Sequence, residues 1–429
     1  MTLCFRWTCI GVVVSLFLLF TSQSARAQYA SVVPEGVLAV IAGHRGFAPQ
    51  ETFWSGDGKN LSMKQRNQLR FDGPHLLRGE GGEKLRTLAD ELYKYDPSQG
   101  LLNRLDLGTL NVGARAESQA QIFGLALGLT KNISMFAVAP LVDLKVNTSF
   151  QLTGSNNALE IRDELGGVAF DELREGLEQA AILNERDVKA GIEAAQYRGV
   201  DSWRYRNLGD AIAGAVFNIP LPELPETELK LSMVGESYLS IPTGHYDNPD
   251  VLSDVSIGTG TWGLGVALTP MLDWENYSLQ LESSMVTYLP HQKQMRIPEL
   301  DETIIPLSRK SNVTITPGVD WMNTAVIAAK YDWFQPHYRL SLNGHTQDSA
   351  TGRLSGNYNA LTKESDRLRL EHALWLYFST VELYQQGQFP LPFRVKLAAN
   401  QIIKAINSSE NTFFEVQFVS FLPTPWMPE

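Results

Sequence analysis

Between Leu229 and Ile241 apolar residues fall at alternate positions: Leu229, Leu231, Met233, Leu239 and Ile241. Lys230, Ser232, Glu236, Tyr238 and Ser240 lie between them. Successive side chains of a strand point to opposite faces, so the segment reads as a strand with one greasy and one polar side. The pattern returns in Leu368, Leu370, Leu374, Leu376 and Phe378, interleaved with Arg367, Arg369, Glu371 and Tyr377. It returns in Phe393, Val395 and Leu397 against Arg394 and Lys396, and in Phe414, Val416 and Phe418 against Glu415 and Gln417. Tyr338, Leu340 and Leu342 alternate in the same way with Arg339, Ser341 and Asn343.

Two architectures carry such strands. A soluble sandwich turns the greasy face inward; a membrane barrel turns it to lipid and lines its lumen with the polar face. The connections favour the barrel. Every second one is short and rich in Pro or aromatic residues: Lys131-Asn132, PLPELPE (220–226), LDWEN (272–276), YDWFQP (331–336) and QQGQFPLP (385–392). The others, near 47–104, 151–207, 242–259, 292–311 and 348–365, are longer and more polar, with a shorter one near 405–411. Aromatic residues gather at the short-turn ends: Trp274 and Tyr277; Tyr331, Trp333 and Phe334; Phe389 and Phe393; Phe421 and Trp426. That is the interfacial girdle of an outer-membrane barrel. The expected fold is therefore all-β, a transmembrane antiparallel barrel of about twelve strands with both termini on the short-turn side. Loops 47–104 and 151–207 are expected to be partly helical. In 82–95 Leu85, Leu88, Ala89 and Leu92 share a helical face, and in 170–195 Leu173, Leu177 and Ala181 do so.

The 429-residue chain opens with Arg6, an apolar run and Ala25-Arg-Ala27. This reads as a secretory signal peptide over 1–27, with the barrel over 28–429. Both cysteines, Cys4 and Cys9, fall within that leader, so the exported chain is expected to hold no disulfide. Forty-seven acids against thirty-six bases give a net charge of −11, which argues against a nucleic-acid partner. The expected partners are outer-membrane lipid, small-molecule solutes and, during biogenesis, the barrel-assembly machinery.

Three stretches invite a chemical reading. GTGTWGLG (258–265) contains a formal G-x-G-x-x-G, but Trp262, Leu264, Val266 and Leu268 alternate with small residues where a nucleotide cradle needs a helix. These glycines are assigned to a barrel strand. GHTQDSATGR (344–353) offers His345, Ser349 and Arg353 and invites comparison with outer-membrane phospholipase; the residue two after the histidine is Gln347, which is no nucleophile. HYDNPDVLSD (245–254) gathers Asp247, Asp250 and Asp254, either as calcium ligands or as a solvated acidic loop. No cofactor, transition metal or catalytic residue is expected. What remains is the charged ladder of the polar phases: Glu236, Glu282, Arg339, Arg367, Arg369, Glu371, Arg394, Lys396 and Glu415. These are the lumen-lining candidates, bracing the barrel or setting solute preference. The Arg367/Arg369 strand beside the Arg394/Lys396 strand is expected to form a basic patch.

GLALGLTKNISMFAVAPLVDLKV (124–146) resembles outer-membrane strands joined by a Gly-Leu-Thr-Lys-Asn turn. YLSIPTGHYDNPDVLSDVSIGTGTWGLGVAL (238–268) resembles the centre of FadL-like outer-membrane channels of the MetA-pathway phenol-degradation family. The family's Leu-Pro-Thr-Gly is Ile241-Pro-Thr-Gly244 here, and its Gly-Asp-Gly-x-x-Asp is 258–263 with the acids lost. YLPHQKQMRIPELDE (288–302) and GQFPLPFRVKLAANQ (387–401) are similar to it as well. The resemblance implies a channel in the outer membrane of a Gram-negative bacterium, passing hydrophobic or aromatic solutes by diffusion, with no chemical step. The FadL Asn-Pro-Ala motif is missing, and the chain ends in FLPTPWMPE, which leaves Phe421 as the aromatic read by the assembly machinery. Two alternatives stay open: a non-conducting structural or adhesive barrel, and a phospholipase-like hydrolase.

Overall fold

The computed structural model describes residues 32–78, 83–165, 171–222, 228–252, 254–299 and 305–424. The expected leader, the 220–226 turn in part, and Trp426 lie outside the described residues. Twelve antiparallel strands form a closed barrel. They are β1 (Val37–Phe47), β2 (Asp106–Thr130), β3 (Ile133–Thr153), β4 (Ala211–Ile219), β5 (Leu229–Ile241) and β6 (Gly263–Trp274). Then come β7 (Tyr277–Tyr288), β8 (Asp320–Ala329), β9 (Phe334–His345), β10 (Arg367–Ser379), β11 (Phe393–Ile406) and β12 (Phe413–Pro423). Each pairs with its neighbours in sequence, and β1 closes the ring against β12, from Val37 opposite Pro423 to Phe47 opposite Phe413. Every barrel strand thus has two partners and the ring that crosses the membrane has no edge.

The alternation decides which side meets what. Leu374 of β10 is 50% exposed, whereas its neighbours Ala373 and Trp375 are 4% and 3% exposed. Phe123, Met135, Leu268, Leu281, Ile327 and Phe418 are likewise exposed, and Leu229 and Leu370 sit on the same outward phase. In a soluble sandwich these residues would be the core. Here they form the outer belt that hydrocarbon covers. Inward positions are buried and mixed. Gly265 leaves room for the ring of Tyr238, since a Cβ there would sit 1.9 Å from it, and Gly263 does the same beneath Tyr288. That is the physical use of the small-residue phase in GTGTWGLG. Gly258 and Gly260 precede the strand and belong to a loop, Gly260 with a φ of 69° that suits glycine.

At the short-turn end the aromatic residues touch as a girdle. Trp274 lies against Tyr277, Trp333 against Phe334 and Phe378, and Phe393 against Phe389 and Phe418. Phe421 departs from the expectation. It falls on the inward phase opposite Ala39 and packs with the lumen cluster. Strand parity is the reason: it lies an odd number of residues from outward-facing Phe418.

At the other end β2 and β3, at 25 and 21 residues, are far longer than the other strands. They carry an extracellular lobe. Helices α1 (Glu83–Tyr95), α2 (Asp171–Ala181) and α3 (Glu185–Ala194) pack Leu88, Ala89, Leu92, Leu173, Leu177 and Ile192 onto the tops of these strands at Leu110, Val112 and Phe150. Strand Ser202–Leu208, read from sequence as loop, pairs with the upper half of β3.

Leu374→Arg places a charge within the outer belt and is expected to lower unfolding stability in detergent by about 2–4 kcal/mol. Urea titration of the refolded barrel measures it; a loss well under about 1 kcal/mol would mean that Leu374 does not face hydrocarbon.

Candidate functional site

Inside the barrel the inward charges pair across neighbouring strands. Arg45 of β1 and Lys396 of β11 flank Glu415 of β12, whose place between them follows from the β12 pairings to both. Arg45 Nε donates to Glu415 Oε2 at 2.7 Å, and Lys396 Nζ lies 2.5 Å from Glu415 Oε1. All three are buried, at 0%, 2% and 0% exposure. Lys396 Nζ also lies 4.7 Å from the Trp375 ring centroid, and the Arg339 guanidinium approaches that ring from 4.8 Å. Arg339 donates to Ser341 and Thr324 and lies 3.9 Å from Glu282 of β7. The ladder therefore runs from β1 through β12, β11, β10, β9 and β8 to β7 without reaching solvent.

The remaining candidates occupy other levels. Glu371 accepts from Asn343 at 2.6 Å and from Asn400 at 3.3 Å. Arg367 pairs with Asp320 at 2.9 Å, and Tyr288 donates to the same carboxylate. Arg369 is buried between them. Arg394 sits 5.9 Å from the Tyr377 ring, near the girdle end. Glu236 is half-buried on β5, beside Val216 and Ala267. The expected basic patch does not form. Antiparallel pairing sets Arg369 opposite Ala405 and Lys396 opposite Tyr377, roughly 30 Å apart along β11. Sequence reasoning missed Arg45, because VLAVIAGHRGF is apolar on both phases and shows no alternation around it. It missed Asp320 for the same reason, at the head of a strand with no charged neighbours on its phase.

The extracellular mouth is cross-linked. Arg296, in strand His291–Arg296, spends all five guanidinium N–H groups: on Asp250 twice, and on the carbonyls of Ala195, Ile305 and Gln196. It also lies 3.8 Å from the Tyr197 ring. One side chain thereby ties together loops 154–210, 242–262 and 289–319. Lys310 adds a second cation to Asp250 at 2.5 Å. Asp247 is held by Lys293 and by the Ser256 hydroxyl, and Asp254 by His245 and the amides of Asn248 and Val255. These carboxylates are thus neither calcium ligands nor a solvated acidic loop; each faces its own protein donors, which leaves no shared cage of oxygens for a cation. Among the described residues no group of His, Cys, Asp and Glu is placed to hold a metal ion.

His345 is likewise committed. Its Nδ1 meets Asp320 and its Nε2 meets Asp348, both at 2.8 Å, while Ser349 lies exposed in a strand of the mouth. With both ring nitrogens occupied, the histidine has no lone pair directed at Ser349, which removes the hydrolase geometry.

A closed barrel with an apolar outer belt, an aromatic girdle and an ion-paired interior is an outer-membrane β-barrel. The comparisons agree on the fold. The chain is similar to an outer-membrane channel from Pseudomonas putida F1, with a TM-score of 0.50 and 9% identity over 92% of this chain and 98% of that one. It also aligns with the translocator domain of the autotransporter NalP from Neisseria meningitidis, at TM-score 0.35 and 9% identity over 95% and 99% of the two chains. A Pseudomonas aeruginosa FadL homologue aligns at 0.30 and 9% identity, over 90% of each. The first score shows a shared fold; the other two carry no argument. No family model matches the sequence, and no curated protein matches it.

Burial raises the proton affinity of the Asp250 carboxylate, but hydrogen bonds from Lys310 and Arg296 outweigh it and hold its pKa below the usual value. A depressed carboxylate stabilises the fold above its unfolded pKa of about 4 and loses that contribution as pH falls through the folded value. Hydrogen exchange at 195–199, corrected for its intrinsic pH dependence, should stay slow at neutral pH and quicken below about pH 4. Arg296→Ala should quicken it at every pH, and equal protection in that variant would contradict the cross-linking role of Arg296.

Proposed function

We propose that the protein is an outer-membrane channel for small solutes, held shut in this structure by its own side chains. The observation that carries the reading is the lining: beside an aliphatic cluster that includes Ile122, Val138 and Val216, the twelve strands enclose charged, hydroxyl and aromatic side chains of the kind that set solute preference in a barrel lumen. Tyr238, Tyr288, Trp375 and Tyr377 face inward beside the charged ladder. At the mouth Trp203 stacks on Tyr205 at 6.0 Å, with His245 against both, and all three rings are partly exposed. Flat rings with nearby cations suit hydrophobic and aromatic solutes that carry little charge. Passage needs no chemical step, because the route requires only that ion pairs separate and hydrate.

The complete burial of Arg45, Lys396 and Glu415 favours a second reading, a barrel whose ladder closes the lumen for good. Planar-bilayer recording separates the two. Arg45→Ala/Lys396→Ala/Glu415→Ala removes the triad without stranding a buried charge, an imbalance that would itself cost about 3–5 kcal/mol. The channel reading expects brief openings in the native protein and steady current in the triple variant. Silence in the folded triple variant, also carrying Arg296→Ala, would favour the closed barrel.

A further inference from the structure

Directly above the triad the extracellular mouth is filled by residues 48–67. They leave the end of β1, where Ala48 donates to Thr412, and run beside β2, where Gln50 exchanges backbone hydrogen bonds with Ala116. Strands Thr52–Trp54 and Asn60–Ser62 then form a small sheet with Ser408–Ser409, and helix Met63–Arg66 follows, capped by Ser62. Phe53 and Met63 are buried among Ala116, Ala120, Leu144 and Val146, so this strap lies inside the barrel and not over it.

The strap is apolar where it touches the wall and poorly matched where it is polar. Gln50 Oε1, Trp54 Nε1, Arg66 Nη1 and both polar side-chain atoms of Asn67 are buried with no protein atom in hydrogen-bonding position, although the Arg66 guanidinium lies over the Phe53 ring. Asn407 Oδ1 and Ser409 Oγ, on the segment it pairs with, are in the same position. Buried polar groups without partners are rare in folded proteins, and a cluster on two facing segments calls for an explanation. Donors and acceptors left unmatched when the strap is seated would all be matched by water once it withdraws. Its side-chain ties are Thr52 to Glu410 at 2.7 Å, Arg66 to Glu364 at 3.0 Å and Glu51 to Arg115 at 2.7 Å, and its backbone is joined to β2 near its two ends, at Gln50–Ala116 and Asn67–Val112, and to Ser408–Ser409 between them. We infer that residues 48–67 are a displaceable plug, seated against an apolar wall and released by hydration of its unmatched polar groups. The inference rests on the channel reading and gives it a moving part distinct from the triad below.

The test uses the full-length mature protein and a rim disulfide, Thr52→Cys/Glu410→Cys, which leaves the unmatched groups in place. Hydrogen exchange in the native protein is expected to be faster at 53–66 than at 116–126 of β2, and to slow when the disulfide forms. Native exchange as slow at 53–66 as in β2 overturns the plug, because it makes the segment part of the wall. In bilayers the oxidised variant should lose its openings and recover them on reduction, with both single-cysteine variants unaffected by oxidant. Openings that persist unchanged in the oxidised variant also overturn it. A protein silent in both redox states tells against conduction instead, and the exchange result then decides whether the segment moves.

Discussion

Backbone amides in hydrocarbon have no water to bond, so a sheet that crosses a membrane must close on itself. The pairing of β1 with β12 meets that requirement, and the rest of the molecule follows from it. Closure fixes the side-chain phases: every second residue must face lipid and every other one must face in. With twelve strands the interior is narrow enough for side chains to meet across neighbouring strands. Charges placed there lose water on both sides and must neutralise one another. Arg45, Glu415 and Lys396 are the result, three groups from three strands held by geometry that only the closed ring provides.

The parts of this arrangement that depend on period were legible in the sequence. Leu370, Leu374 and Phe418 announce an outward face, and the contrast of short aromatic turns with long polar loops announces two different ends. The helical faces in 82–95 and 170–195 were legible for the same reason. What depends on partners was not. Arg45 and Glu415 are 370 residues apart, and nothing in either segment names the other. Arg369 and Lys396 looked adjacent because their strands are neighbours, whereas antiparallel direction sends them to opposite ends. The acids of 245–254 read as a solvated loop or as calcium ligands, because the cations that claim Asp247 and Asp250 come from 293–310. The glycines at 263 and 265 were correctly placed in a strand, but their purpose, room for two tyrosine rings, is visible only in three dimensions.

On the channel reading, two closures besides the strap of residues 48–67 stand in series along the axis. The inner one is electrostatic, and its strength comes from exclusion of water around the triad. The outer one is a set of loops joined through Arg296, on a lobe whose own hydrophobic core keeps it folded beyond the membrane. The two are unlike in what loosens them. Hydration weakens the inner one everywhere at once, while the outer one depends on a few carboxylates of the mouth remaining charged.

The account stands on the direction in which the two phases of each strand point. Nitroxide labels at Leu268, Leu374 and Val416, compared with labels at Ala267 and Ala373, test it in reconstituted bilayers by collision with oxygen dissolved in lipid and with a water-soluble nickel chelate. The first three should be open to oxygen and shielded from nickel, and the last two shielded from oxygen. Labels at Leu268, Leu374 and Val416 that neither agent reaches would place those residues in a dry interior and contradict the barrel.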